Sequence, residues 1–278
     1  MHKRKAGTLS HTATVYKRPA SCAALLVLLG VWLGACRVAP VSAADLVQTI
    51  AKIKPAVVGV GTYMKTRSPA FQLMGTGFVV ADGLHVITNA HTYAKPLDGA
   101  NLEVPMVLVS TGGDPQPRQA QILAMDRAHD LALLKISGDP VPVMTLGDSA
   151  KVREGHMLAF TGFPIGIVLG MHPATHRSMV SALVPVVLPG ITARQLDDRT
   201  INRIRDSAYQ VIQLDGTAYP GNSGSPLYDP EDGTVYGIVN SVFIQAGREN
   251  AIRLPSGITY AIPSRYIREL LQQEKIPF

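Results

Sequence analysis

The fold class is decided by the stretch GTGFVVADGLHVITNAH, residues 75–91. It contains two short apolar runs, both rich in β-branched residues, on either side of the pair Asp82-Gly83. Because glycine accepts the positive φ of a tight hairpin turn, this pattern predicts two antiparallel strands joined by that turn. Short runs of the same kind, separated by Gly, Asp and Pro, recur from residue 57 to residue 262. We therefore predict an all-β chain, folded as a barrel or a sandwich.

Helices are predicted at the two ends of this β-rich region, and residues 191–208 are interpreted as a solvated surface helix or loop. Between Asp45 and Ile53 the apolar residues share one helical face, and Pro55 ends the pattern. Ser264 is predicted to cap a second helix near the end of the chain. The 278 residues are enough to bury a large core by packing alone.

The positive charge of the chain is concentrated at its N-terminus. The sequence holds 26 Lys and Arg against 20 Asp and Glu. Residues 1–43 contain six of the bases and no acid, so the remaining residues carry equal numbers of bases and acids. A neutral body gives no electrostatic reason to expect a nucleic-acid partner.

Residues 1–43, the leader, have the three parts of an export signal. A basic stretch ends at Arg18, an uncharged run extends from residue 20 to Cys36, and small residues at 41–43 resemble a cleavage site. The run LGAC at 33–36 also resembles a bacterial lipobox, in which Cys36 would be acylated. A third interpretation is an uncleaved anchor, because the 17 uncharged residues approach the length that spans a bilayer. All three place the body outside the cytoplasm: periplasmic or otherwise exported, or lipid-anchored through Cys36 in the cell envelope.

The body is expected to hold no metal and no other cofactor. Both cysteines, Cys22 and Cys36, lie in the leader, so the body has no disulfide, cysteine-based metal site or cysteine nucleophile. His172 and His176 flank a proline and have no third ligand nearby in the sequence, which argues against zinc.

Three separated motifs together indicate nucleophilic catalysis. They are TNAH at 88–91, DRAHDLALL at 126–134 and PGNSGSPL at 220–227. A serine hydroxyl is a weak nucleophile, so it needs a base to take its proton and an acid to orient that base. We predict Ser223 as the nucleophile, His91 as the base and Asp130 as the orienting acid. The backbone N–H groups of Gly221 and Ser223 are predicted to form an oxyanion hole, since Gly221 permits a strained turn.

These motifs resemble the protease domain of HtrA/Deg-type bacterial serine endopeptidases, in the chymotrypsin superfamily. The resemblance covers nearly the whole body and follows the superfamily's order of His, Asp and Ser. The segments that carry it are 75–91, 130–136, 146–149, 162–166, 213–215, 220–227 and 258–264. It implies two packed six-stranded antiparallel β-barrels, with the catalytic residues in the cleft between them. The first barrel, in residues 44–152, would carry His91 and Asp130. The second barrel and a terminal helix, in residues 153–278, would carry Ser223.

The chain departs from this family at three points. Family members usually continue into one or two PDZ domains, whereas the resemblance here ends shortly after Pro263, so we expect the protease domain alone. Ser225 replaces a usual glycine, as it does in glutamyl endopeptidases of the same superfamily. The segment 188–209 is longer than the family loop that would align with it.

The resemblance also bounds the substrate preference. It places Thr217 at the base of the primary specificity pocket, where an enzyme that cuts after Lys or Arg carries an acid. Asn240, Ser241 and Val242 would form the pocket wall, and the branched side chain of Val242 would narrow the slot. We therefore predict cleavage after small or medium aliphatic residues.

The leading hypothesis is a serine endopeptidase of the bacterial cell envelope that cuts unfolded or damaged proteins through an acyl-enzyme. Its expected partners are extended polypeptides, with membrane contact only through the leader or a lipid anchor, and with oligomerisation left open. The alternative is a catalytically silent chaperone-like or scaffold protein on the same fold. A membrane-anchored structural protein is a third alternative, which rests on the leader alone. His129, next to the predicted acid, is interpreted as a surface neighbour rather than a second base.

Overall fold

In the part of the chain that the structure describes, the fold consists of two closed antiparallel β-barrels and two α-helices, α1 (Ala43–Ile53) and α2 (Ser264–Gln273). The computed structural model describes residues 43–110, 115–164, 172–186, 209–240 and 257–278. Within these ranges each barrel has six strands, which confirms the architecture that the family resemblance implied.

The first barrel precedes the second in the sequence and carries two of the predicted site residues. Its strands are β1 (Val57–Tyr63), β2 (Phe71–Val80), β3 (His85–Thr88), β4 (Val104–Val109), β5 (Gln116–Asp126) and β6 (Leu131–Ile136). Their spatial order is β1-β2-β3-β6-β5-β4, and pairing between β1 and β4 closes the ring. The connection between β2 and β3 holds Asp82-Gly83, as the hairpin pattern predicted.

The second barrel repeats this topology. Its strands are β7 (Met157–Gly162), β8 (Ala174–Val186), β9 (Tyr209–Leu214), β10 (Pro226–Tyr228), β11 (Val235–Asn240) and β12 (Thr259–Pro263). Their spatial order is β7-β8-β9-β12-β11-β10, and pairing between β10 and β7 closes the ring.

Both helices pack against the barrels. The Thr49 hydroxyl on α1 donates to the backbone carbonyl of Glu231 at 2.9 Å, in the turn that joins β10 and β11. Ser264 does not cap α2 as predicted: Pro263 holds the cap position, and the Ser264 hydroxyl donates to the Gly147 carbonyl at 2.8 Å. Neither α1 nor α2, the α-helices in the ranges described, is long and apolar enough to span a membrane.

Strand alternation builds three buried clusters, because successive side chains of a strand point to opposite faces. Val79 and Leu134 belong to a cluster made of first-barrel residues. Their neighbours Phe78 and Leu133 belong to a cluster that also contains residues of the second barrel and α2. Phe160 belongs to a third cluster, in the second barrel. Because these strands are buried on both faces, their sequences are continuous apolar runs. The cluster that contains Phe78 and Leu133 holds the two barrels together.

Candidate active site

His91 and Asp130 contact each other at one end of the first barrel. His91 lies in the short turn that follows β3, and Asp130 directly precedes β6, which pairs with β3. The Nδ1 of His91 lies 2.6 Å from Oδ2 of Asp130, and the backbone N–H of His91 donates to Oδ1 at 2.8 Å. Because a carboxylate only accepts hydrogen bonds, Nδ1 carries the proton and Nε2 is left as an acceptor.

The backbone of Asp130 is held in an uncommon conformation. Its φ is 52°, in the left-handed region that few non-glycine residues adopt. Its carbonyl accepts hydrogen bonds from the N–H of Ala90 and the side-chain amide of Asn89, both at 3.1 Å. These bonds join the residues just before His91 to the acid that contacts it.

Ser223 lies on a tight turn that backbone hydrogen bonds fix. The N–H of Asn222 donates to the Tyr219 carbonyl at 2.9 Å, and the N–H of Ser225 donates to the Asn222 carbonyl at 3.0 Å. The Ser223 carbonyl accepts from the N–H of Thr76 at 2.8 Å, which ties the turn to β2 of the first barrel. Ser223 itself is only 5% exposed.

Two glycines in this turn have a positive φ, 98° for Gly221 and 90° for Gly224. A Cβ on Gly224 would lie 1.8 Å from the Thr76 carbonyl oxygen and 2.7 Å from Oγ1 of Thr88, so only glycine fits there. The Gly221 carbonyl accepts from the Thr76 hydroxyl at 2.7 Å. Thr76 therefore restrains the turn at both Gly221 and Ser223. The sequence analysis gave Thr76 no role. The signal that the sequence offers for it is a polar residue within an apolar strand.

Strand β11 connects the Ser223 turn to Asp130. The N–H of Gly224 donates to the Val239 carbonyl at 2.9 Å, and the N–H of Val239 donates to the Ser225 carbonyl at 2.9 Å. The next residue, Asn240, donates its side-chain amide to Oδ2 of Asp130 at 2.7 Å and is 1% exposed. The structure thus places His91 and Asp130 in direct contact and links Ser223 to them through this strand.

The predicted pocket residues are only partly within the described ranges. Thr217 is half-buried, and the N–H of the following residue, Ala218, donates to the hydroxyl of Thr259 at 2.8 Å. Ser241, Val242 and the lipidation candidate Cys36 lie outside the described residues, as does most of the segment 188–209. Asn240 was predicted as pocket wall, and its bond to Asp130 was not predicted; the signal for it is a polar residue that ends the apolar strand β11.

In the part of the chain that the structure describes, no group of three His, Cys, Asp or Glu is placed to hold a metal ion.

His129, which was interpreted from the sequence as a surface neighbour, is half-buried. Its side chain is 24% exposed, and its Nδ1 lies 2.6 Å from Oδ2 of Asp126. Its ring stacks on Tyr266 of α2, with 3.9 Å between the ring centroids. Burial raises the pKa of Tyr209, which also borders this ring, and the negative charge of Asp130 adds to the rise.

Comparison with known proteins agrees with this fold. Residues 75–238, more than half of the chain, match the family described as trypsin-like peptidase domain. A probable periplasmic serine endoprotease, DegP-like, from Halomonas elongata is 30% identical over 190 residues, which cover 68% of this chain and 32% of the relative. Serine protease HTRA1A from Danio rerio is 31% identical over 234 residues, which cover 83% of this chain and 40% of the relative. A solved structure of an HtrA-type protease, AlgW, with a tripeptide matches with a TM-score of 0.58 at 24% identity, over 82% of this chain and 62% of that chain.

The chain belongs to the family of trypsin-like peptidase domains. Its curated relatives include HtrA- and DegP-type serine proteases, which confirms the resemblance that the motifs indicated. The chain spans about a third to two-fifths of the length of these relatives. The likeness to the solved HtrA-type structure concerns the fold.

Proposed function

We propose that the chain is a serine endopeptidase in which Ser223 is the nucleophile, His91 the general base and Asp130 the acid that orients it. The observation that carries this proposal is the two-point contact of Asp130 with His91, through the backbone N–H at 2.8 Å and Nδ1 at 2.6 Å. This contact fixes both the orientation and the tautomer of the ring, so that Nε2 is ready to accept a proton. A third donor, the side chain of Asn240, holds the same carboxylate from the second barrel.

The reaction would proceed through an acyl-enzyme. The Ser223 Oγ attacks the carbonyl carbon of the scissile peptide bond, and its proton moves to Nε2 of His91. The tetrahedral intermediate collapses when His91 gives that proton to the leaving amine. Water, deprotonated by His91, then attacks the ester, and the proton returns to Ser223 as the acid product leaves. Asp130 stabilises the imidazolium that forms in each half of this cycle.

The backbone N–H groups of Gly221 and Ser223 are proposed to bind the oxyanion of the tetrahedral intermediate. Two observations support this: the left-handed φ of Gly221, and the bond from the Thr76 hydroxyl to its carbonyl. Donors that are already restrained need no reorganisation when charge develops on the oxygen, which is why such sites stabilise the transition state.

We infer that the substrates are extended segments of unfolded or damaged proteins, cut after small or medium aliphatic residues. Thr217 offers no charge to a Lys or Arg side chain. Ser241 and Val242 are proposed for the pocket wall, together with Asn240. Because the Asn240 side chain is bonded to Asp130, its part of the wall would be formed by the backbone.

We propose that the protein acts in the bacterial cell envelope. A relative from Halomonas elongata is named as periplasmic, and the leader, residues 1–43, has the features of an export signal. Mass spectrometry of the mature N-terminus tests this: a free N-terminus near Ala44 indicates cleavage, an acylated Cys36 indicates a lipid anchor, and an intact leader on cytoplasmic protein contradicts both.

The proposed activity is tested by covalent labelling with a fluorophosphonate probe. We expect the probe to label the wild-type protein at Ser223 and to leave the Ser223→Ala variant unlabelled. Ser225→Ala is the matched control, because it removes a hydroxyl two residues away in the same turn and should keep the labelling. A folded wild-type protein that stays unlabelled, and leaves denatured casein uncut, would favour the scaffold function.

The pocket assignment is tested on the same preparation. Peptides released from denatured casein are sequenced by mass spectrometry, with Ser223→Ala as the blank. Cuts should follow small or medium aliphatic residues, and cuts confined to positions after Lys or Arg would show that the pocket has been misassigned.

A further inference from the structure

A second His–Asp pair lies directly beside the proposed catalytic acid. His129 precedes Asp130 in the chain, and its Nδ1 lies 2.6 Å from Oδ2 of Asp126. The other oxygen of Asp126 accepts the backbone N–H groups of Ala128 at 3.0 Å and His129 at 3.1 Å. One carboxylate therefore closes the whole turn that leads into Asp130.

The ring of His129 contacts two tyrosines of the second half of the chain. It stacks on Tyr266 of α2 with a centroid distance of 3.9 Å and an interplanar angle of 18°. It meets Tyr209, the first residue of β9, edge-on at 5.0 Å, and the two tyrosines contact each other at 5.5 Å. Aromatic contacts of this kind hold rings in defined orientations. His129 is thus fixed by its own turn and by the second barrel and α2.

This arrangement bears on Asp130 because of the backbone that joins the two residues. With a φ of 52°, Asp130 has a conformation that persists only when its surroundings restrain it. On the C-terminal side the restraint comes from β6, whose Ala132 pairs with Thr88. On the N-terminal side the restraint comes from the contacts of the His129 ring and from its bonds to Asp126. A shift of His129 would therefore be passed directly to the carboxylate that contacts His91.

We propose that His129 is a positioning residue for the catalytic acid. It is held between Tyr209 and Tyr266 and is bonded to Asp126. In this way it sets the position of Asp130, and that position therefore depends on the docking of α2. This role deepens, and rests on, the proposed protease function. His129 acts through Asp130, so its loss should lower kcat and leave KM nearly unchanged.

The chain offers a matched control in the β2–β3 hairpin. There, His85 and Asp82 form a pair with the same spacing, with Nδ1 2.7 Å from Oδ1. Asp82 also accepts a backbone N–H, that of Leu84, at 3.0 Å. His85 begins β3, whereas His91 follows the other end of that strand. Removing this pair costs a similar local contact without touching the turn at Asp130.

The kinetic test compares His129→Ala with His85→Ala on a peptide substrate, at a temperature where circular dichroism shows both to be folded. We expect kcat of His129→Ala to fall roughly 10-fold to 100-fold, because small displacements of catalytic groups have effects of this size. KM should change by less than about twofold, and His129→Phe, which keeps a stacked ring, should recover part of the loss. Wild-type kcat in His129→Ala, or an equal loss in His85→Ala, would overturn the proposal.

A second readout does not depend on activity. The Nδ1–H of His91 is bonded to a carboxylate at a short distance, so it should give a low-field proton resonance, assigned by its loss in His91→Ala. We expect this resonance to shift or broaden in His129→Ala and to stay in place in His85→Ala. If the alanine variant does not fold, His129→Asn, which keeps a donor toward Asp126 and loses the stack, replaces it. An unchanged resonance in the His129 variant overturns the positioning role. If the resonance shifts in that variant but the fluorophosphonate does not label the wild-type protein, the protease function alone is overturned.

Discussion

The two halves of the candidate site are built by different means. In the first barrel, His91 and Asp130 are fixed by side-chain hydrogen bonds, at 2.6 and 2.8 Å between the two residues and at 2.7 Å from Asn240. In the second barrel, the Ser223 turn is fixed mainly by backbone hydrogen bonds, together with the Thr76 hydroxyl, and Gly224 leaves room for the neighbouring carbonyl of Thr76. The His91–Asp130 half should therefore be sensitive to a substitution that changes a hydrogen-bond donor or acceptor. The Ser223 half should be sensitive to a substitution that adds an atom.

The largest effect is expected from Asp130→Asn, which changes a charge and an acceptor but almost no volume. The amide would present an N–H to His91, and the ring would then lose the tautomer that leaves Nε2 free to accept a proton. We expect kcat to fall roughly 10⁴-fold, measured on a peptide substrate with the unfolding transition checked in parallel. Asp82→Asn alters a similar His–Asp pair at the opposite end of β3 from His91, and it should retain kcat. A tenfold loss or less in Asp130→Asn would mean that this carboxylate does not orient the base.

The next effect is expected from Gly224→Ala, which adds one carbon to the second half of the site. Its backbone strain should cost about 1–2 kcal/mol, and the clash with the Thr76 carbonyl should add about 1–3 kcal/mol of overpacking. Gly155→Ala is the matched control, because Gly155 has a similar φ of 87° and nothing lies within 4 Å of its added Cβ. The free energies of unfolding from urea titrations separate the two contributions. Equal losses in both variants would show that the turn yields to the added carbon.

Sequence patterns predicted the strands better than their closure. The Asp82-Gly83 hairpin is local, so the residues themselves specify it. The apolar runs left a barrel and a sandwich open, because closure depends on pairs such as β1 with β4, which lie far apart in the sequence. The resemblance to HtrA/Deg proteases supplied the two barrels, and the structure confirms them.

The same limit applies to the site. His91, Asp130 and Ser223 were predicted from three separated motifs, yet the hydrogen bonds that support them were not. Asn240 bonds to Asp130 across 110 positions, and Thr76 bonds to Gly221 across 145. Periodicity and turn signals report contacts within a few residues, so a partner at such a distance leaves no local signal beyond a polar residue in an apolar strand.

Histidines extend the comparison between the barrels. In the first barrel, His85, His91 and His129 each place Nδ1 within 2.7 Å of an aspartate oxygen. In the second barrel, His176 instead stacks on Phe160 with 4.9 Å between the centroids, and its buried Nε2 has no hydrogen-bond partner within the described ranges. Burial without a partner penalises the charged ring, and it lowers the pKa of His176.

The smallest effect is therefore expected in the pH dependence of stability. Above the ordinary pKa of about 6.5 both the folded and the unfolded states hold a neutral ring. As the pH falls below that value, the unfolded state binds the proton first, so His176 lowers the free energy of unfolding until the folded state is protonated as well. His176→Phe keeps the stacked ring and should show a shallower decline between about pH 7 and pH 5 in urea titrations. His172→Phe, which makes the same substitution at an exposed ring, is the matched control. Identical slopes in wild type and His176→Phe would mean that this ring is solvated despite its stack on Phe160.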